Sequence, residues 1–429
     1  MKLFQQMLVA GASLSLLAPV AAQASDAINI EEMNSYSRSQ TNSSRIDSKT
    51  FINEVSEDIA NLKGRMDALE VQQNEFEAGS FSDTTTLDGK AVMWIGAVDG
   101  GNEIGGTETT QTGYTYTMNL NSSFTGDDNL YVRLKSGENG GQWSNKATYH
   151  IETKDNSDAL KVDKMWYTFP IGDSVTAFVG PRIENYYMYI TPSIYKPGAL
   201  KSMKLGGNSN FGASTDVGFG FKYEADNGFG IATNIVDKNA DATTGLLGDA
   251  SVRKWDTQVA YTTDRWHLSA TLSDAQNWTS QSYNATTLGA GMKGSDGDTT
   301  GYALRGYWMP EESGTAVPEI SVGYDTKTAD TPASGAAKEA DSYFVGLTWK
   351  DMFQADDRIG LAFTQPLKQT ECNGTCSSTE VDPFVWEAYY SFKPNDSMEV
   401  RPAVFGGSNI LADNNDDIFG VLLTSTFKF

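Results

Sequence analysis

A chain of 429 residues with 55 acids, 32 bases and a formal net charge of −23 is too acidic to take nucleic acid or an anionic membrane surface as its partner. Its mean hydropathy is negative, which excludes a helical membrane protein but not a barrel, because water-facing residues dilute lipid-facing ones. Two histidines supply little for a His-based triad or metal cluster, and no phosphate loop, Gly-x-Ser-x-Gly or zinc spacing occurs. No enzyme activity, cofactor or metal site is expected.

The N-terminus reads as an export signal over residues 1–24. Lys2 supplies a positive charge, an apolar run extends from Met7 to Ala21, and Ala22-Gln23-Ala24 is a small-x-small cleavage site. Cleavage before Ser25 would remove one lysine and no acid, taking the net charge from −23 to −24. Residues 25–47 are polar, rich in Asn, Ser and Thr, and predict a flexible leader.

A helix is predicted over residues 48–79. Ile52, Val55, Ile59, Leu62, Met66, Leu69, Gln73 and Phe76 are spaced alternately three and four apart, which is the a/d seam of a coiled coil. Ser48 is a fitting N-cap and Gly79 a fitting stop. The narrow seam favours self-association over a lone amphipathic helix, and Gln73 in the seam would help fix register.

From residue 80 to Phe429 the pattern is strand, turn, strand. Phe219, Phe221 and Tyr223 alternate with Gly220, Lys222 and Glu224; Trp266, Leu268, Ala270 and Leu272 alternate with His267, Ser269, Thr271 and Ser273. In the last strand Phe419, Val421, Leu423, Phe427 and Phe429 share one face. Successive strand side chains point to opposite faces, so each strand presents an apolar and a polar side. About sixteen such strands of about ten residues, with aromatics at their ends, predict an antiparallel barrel with lipid outside and water inside. An exported soluble β-protein remains an alternative.

Water-facing charges are then candidate pore-lining residues. Arg133 and Lys135 share a face, and Lys222, Arg305 and Arg358 oppose apolar neighbours. Between residues 181 and 210 the alternation breaks at Pro192, Pro197, Gly198, Gly206 and Gly207. This stretch carries Arg182, Lys196, Lys201 and Lys204 against a single acid, Glu184. Folded into the barrel it would form a basic constriction, with Tyr186, Tyr187, Tyr189 and Tyr195 suited to sugar stacking; an ordinary external loop is the other reading. Cys372 and Cys376 suit a local disulfide in an oxidising compartment better than a metal pair, since no histidine stands nearby.

The signal MKLFQQMLVAGASLSLLAPVAAQA, the helix-to-strand junction VSEDIANLKGRMDALEVQQNEFEAGSFSDTTTLDGKAVMWIGAV and the terminal TSTFKF resemble cyanobacterial outer-membrane porins, the Som-type branch related to the carbohydrate-selective OprB porins. The resemblance implies a sixteen-stranded homotrimeric barrel in outer-membrane lipid, passing small hydrophilic solutes and inorganic ions, with sugars or iron among them. It also implies an S-layer-homology domain ahead of the coiled coil, where this sequence has only the short polar stretch. A structural envelope barrel with a narrow or closed pore is the alternative function.

Overall fold

The computed structural model describes residues 63 and 80–429, less 83, 101–107, 139–148, 153, 208–214, 239–244, 281–282, 293, 295–296, 376–381 and 410–416. The signal, leader and coiled-coil assignments lie outside the described residues, as does Cys376. A three-residue strand, β1 (Ser80–Ser82), pairs with the start of β2 (Thr85–Asp99). The wall continues through β3 (Gln111–Ser122), β4 (Asn129–Glu138), β5 (Lys161–Ile171) and β6 (Val175–Glu184). β7 (Thr215–Glu224), β8 (Phe229–Asp237), β9 (Arg253–Thr262) and β10 (Trp266–Gln276) follow. Next come β11 (Asp298–Trp308), β12 (Glu319–Ala329), β13 (Ala337–Lys350) and β14 (Arg358–Cys372). β15 (Phe384–Asn395), β16 (Met398–Ser408) and β17 (Ile418–Lys428) complete the set.

Each wall strand from β2 to β17 pairs antiparallel with the next in sequence, and β17 closes on β2 from Phe419↔Asp99 to Lys428↔Lys90. The result is the expected sixteen-strand closed barrel. Closure gives the wall backbone its partners within the sheet and leaves no open edge, the condition for crossing a bilayer with strands. Among the described residues no helix is long and apolar enough to span a membrane.

The apolar parity faces out. Leu268, Leu272, Trp255, Tyr261, Tyr302, Leu304, Phe219 and Phe221 are exposed, whereas Ser269, Thr271, Ser273, Gln258, Arg305 and Glu387 are buried. This inverts the soluble-protein rule and matches a surface meant for lipid. Turns at one end are short: residues 172–174 join β5 to β6, and residues 396–397 join β15 to β16. Most connections at the other end are longer, as between β6 and β7 and between β10 and β11, the asymmetry of periplasmic turns and extracellular loops.

Two of the short turns repeat one device. In Phe124-Thr-Gly-Asp-Asp128 the Asp128 carboxylate accepts the Phe124 and Thr125 N–H groups at 2.9 and 2.8 Å, and Tyr167 of β5 donates its hydroxyl at 2.7 Å. In Phe353-Gln-Ala-Asp-Asp357 the carboxylate of Asp357 accepts the Met352, Phe353 and Gln354 N–H groups and the Tyr390 hydroxyl of β15 at 2.8–3.1 Å. Burial disfavours the Asp357 charge, but these donors outweigh it and hold its carboxyl below the ordinary value. Its contribution is therefore present above the unfolded carboxyl pKa and lost as pH falls through the folded one. Asp357→Ala should lower, by a few degrees, the temperature at which the folded gel band disappears. Asp357→Asn, which keeps one acceptor oxygen, should fall between.

Candidate functional site: a basic cavity walled by an inserted loop

The stretch after β6 folds into the barrel, and three anchors on the inner wall show how. Asp256 of β9 accepts hydrogen bonds from Asn185 and Tyr189, and the Gln258 side chain brackets the Ile190 peptide, accepting its N–H at 2.8 Å and donating to its carbonyl at 3.0 Å. On β15, the buried Glu387 carboxylate accepts the N–H groups of Gly198, Ala199 and Leu200 at 2.7, 3.0 and 2.7 Å, plus the Tyr195 hydroxyl at 2.9 Å. Arg305 of β11 donates from Nε to Leu205 O at 3.0 Å and pairs with Asp325 at 2.6 Å.

Apolar packing seals the same seam. Tyr195, Ala199, Leu200 and Met203 of the loop cluster with Phe344, Val385, Tyr389, Phe405 and Leu422 on the inward side of β13 to β17. Gly198 is needed there because a Cβ would stand 2.1 Å from the Tyr389 ring. Gly206 and Gly207, at φ 74° and 81°, turn the chain back toward the wall.

Two further loops enter the lumen. Residues 149–152, between β4 and β5, pair with the inserted loop through Ile151 N to Ala199 O (2.7 Å) and Lys201 N to Tyr149 O (2.9 Å). Residues 283–292, between β10 and β11, run beside β14 through Thr286 N to Leu367 O and Leu367 N to Asn284 O. The Tyr149 and Tyr283 rings meet at 5.0 Å.

What remains is a cavity of about 1150 Å³ running from Asp88 and Phe429, at the short-turn end, to the inserted loop. Among the described residues its lining holds ten lysines and arginines against five aspartates and glutamates, so the passage is basic inside a chain of net charge −23. Three of these carboxylates are engaged by part of that set: Lys90 pairs with Glu152 at 2.8 Å, Lys154 with Asp163 at 2.9 Å, and Lys164 with Glu184. Arg401 and Lys428 lie 3.6 and 3.8 Å from Glu399. Among the described residues, Arg133, Lys135, Lys196, Lys201 and Lys204 line the cavity without a carboxylate partner at ion-pair distance.

Aromatic groups hold three of these cations, Arg133, Lys201 and Lys204. Lys201 Nζ stands 4.3 Å from the Tyr149 ring centre and 5.4 Å from that of Tyr283, and Lys204 Nζ donates to Tyr186 OH at 2.6 Å. Ring faces attract a cation without neutralising it. In the inserted loop, burial pushes the Lys204 ammonium down to about 7, with the charges of Lys201, Lys135 and Arg133 acting in the same direction. Burial, then Lys154, brings Lys201 to about 8. Raising the pH from about 6 to about 8 therefore removes positive charge from the passage, since a lysine is charged only below its pKa. Anion preference should fall over that interval, read as a shift of reversal potential with pH, and Lys204→Gln should flatten the shift.

Of the residues expected from the sequence, Arg133, Lys135, Glu184, Lys196, Lys201 and Lys204 meet on this cavity. Four do not line it. Arg182 sits at an irregularity in the pairing between Gly180 and Ile183, which breaks the strand's parity; it is exposed and donates to Asp163 O at 3.3 Å. Lys222 pairs with Glu224 at 2.7 Å beside a short turn. Arg305 faces inward as expected but holds the loop, and Arg358 lies 3.4 Å from Glu399. Tyr186, Tyr187 and Tyr195 reach the cavity, whereas the buried Tyr189 is occupied with Asp256. Lys90, Glu152, Lys154, Asp163, Lys164, Arg401 and Lys428 line it too, outside the sequence expectation; several stand on inward strand parity, a usable signal. Cys372 is disulfide-bonded.

A closed barrel with an apolar exterior, a polar lumen and a charged passage defines an outer-membrane channel for small solutes. Over residues 44–429 the chain matches the carbohydrate-selective porin, OprB family, and it belongs to that family. It is 25% identical over 422 residues to an uncharacterized protein of Nostoc sp., spanning 88% of this chain and 71% of that one. An uncharacterized Synechocystis protein is 23% identical over 405 residues, spanning 86% of this chain and 73% of its own length. Among solved structures, the anion-selective porin from Comamonas acidovorans superposes with a TM-score of 0.55 at 12% identity, covering 81% of this chain and 99% of that one. A loop L8 deletion mutant of OmpT from Vibrio cholerae gives 0.52 at 12% identity, covering 81% and 100%. These two likenesses concern the fold.

Proposed function

We propose that this porin is a passive diffusion channel whose constriction favours anionic and hydroxylated solutes, small sugars and inorganic anions foremost. The observation that carries this is the two-to-one excess of cations over carboxylates among the described residues of the passage, five of those cations having no carboxylate partner among them at ion-pair distance. Tyr149, Tyr186, Tyr187 and Tyr283 offer ring faces on which a sugar can stack. Iron is a weaker fit, because a basic passage repels its aqueous cations. Residues 1–24 would direct export, and the seam of residues 48–79 would hold a homotrimer from the periplasmic side. We infer that the Cys372 disulfide is made with Cys376, the other cysteine of the chain, and closes the external loop between β14 and β15.

The test is single-channel conductance in a planar bilayer across a potassium chloride gradient. Stable steps with a reversal potential on the chloride side support the reading, and closures in threes support the trimer. Barrel shown to be folded by heat-sensitive gel migration, yet giving no steps, would instead favour an envelope role with the pore closed by its three inserted loops.

A further inference from the structure

Two elements distant in sequence bring to one stretch of the cavity four cations that, among the described residues, have no carboxylate partner at ion-pair distance. Arg133 and Lys135 project from β4, while Lys201 and Lys204 come from the inserted loop. Three of the nearby carboxylates are committed to other cations, Glu152 to Lys90, Asp163 to Lys154 and Glu184 to Lys164, and Asp88 accepts the side-chain amides of Asn119 and Asn121 at 2.6 and 3.1 Å. Arg133 is held in place by Asn119 Oδ1 on Nε at 2.9 Å and by Tyr187 OH on Nη2 at 3.5 Å. The partners of Lys201 and Lys204 are tyrosine rings and a phenol, which orient an ammonium and leave its charge intact.

We propose that Arg133, Lys135, Lys201 and Lys204 form a saturable binding site for a dianionic oxyanion, inorganic phosphate or the phosphate of a monoester. The inference rests on the diffusion-channel reading above and adds a ligand to it. Four like charges in a half-buried space repel one another, and a doubly charged anion relieves that repulsion while accepting charge-assisted hydrogen bonds from several of them. A guanidinium beside ammonium groups suits a tetrahedral oxyanion, whose oxygens point in several directions. A neutral sugar gains none of the Coulomb energy, and a monovalent anion gains less of it. For a phosphate ester, the Tyr149–Tyr283 pair beside Lys201 offers a face to the organic part.

The test measures chloride current through single open channels near neutral pH while potassium phosphate, glucose 6-phosphate or glucose is added at constant ionic strength. Expected is a concentration-dependent, saturating block by phosphate and none by glucose. Block by glucose 6-phosphate as well would extend the site to esters, and its absence would restrict the site to the free ion. The double variant Lys201→Gln/Lys204→Gln should still open channels but raise the half-blocking phosphate concentration about tenfold or more, while Lys222→Gln, off the cavity, should not change it. Equal block in wild type and double variant, or no block of open wild-type channels, overturns the site and leaves the channel reading standing. Absence of any channel from folded barrel overturns that reading first.

Discussion

Replacing Glu387 by alanine should give a channel with larger and noisier conductance steps and a less heat-stable fold, while the barrel itself still assembles. The carboxylate is the single acceptor for three consecutive backbone N–H groups and one hydroxyl of the inserted loop. Truncation leaves these donors to find water or go unpaired, at about 1–3 kcal/mol for each that stays dry. The sixteen-strand ladder does not depend on that group, since β15 pairs with β14 and β16 through its backbone. The lost stability should therefore appear as release of the loop, which is what narrows the lumen. Glu387→Gln keeps one acceptor oxygen but turns an amide NH₂ toward N–H groups, so an intermediate conductance and frequent flicker are expected. Steps of unchanged size in Glu387→Ala would show that the apolar seam of Tyr195, Leu200 and Met203 holds the loop alone.

The wall was legible in the sequence because period-2 alternation is a local signal, and lipid on one side with water on the other enforces it over every strand. Its failures have local causes. Arg182, expected in the basic loop, instead belongs to β6, where the register irregularity after Gly180 leaves it exposed. Lys164 escaped notice because Trp166 shares its inward parity, so β5 does not read as one polar and one apolar face. The inward Phe344, Tyr389 and Phe405 also sit on the parity reserved for water. They are apolar because the inserted loop, not solvent, covers them.

That lumenal core is a long-range pairing between residues near 200 and residues beyond 340, and no window of sequence contains both halves. The basic excess of the loop was visible as composition. That it faces Arg133 and Lys135 was not, because the contact is made by folding a loop through a closed sheet. Glu387 likewise stood on the lumenal parity, but its three N–H partners come from residues 198–200.

Reversing two charges on the loop should reverse the selectivity of the channel. Lys201→Glu with Lys204→Glu leaves the described lining residues with eight cations and seven carboxylates in place of ten and five. The two new acids stand where the unpaired positive charge is now concentrated, and that local field, more than the net charge of the chain, sets which ion enters. The outer surface keeps its acidity in either protein, so wild type and variant differ only inside the passage. In dilute salt of about 0.1 M the Debye length is about 10 Å, comparable to the reach of these side chains, and the reversal potential should change sign toward potassium. At about 1 M the screening length falls to about 3 Å and most of the difference should vanish. Lys222→Glu, with its side chain at the short-turn end beside Glu224, should leave both readings near wild type. Reversal of sign by Lys222→Glu, or its absence in the loop variant, would place control of selectivity at the mouth and not at the inserted loop.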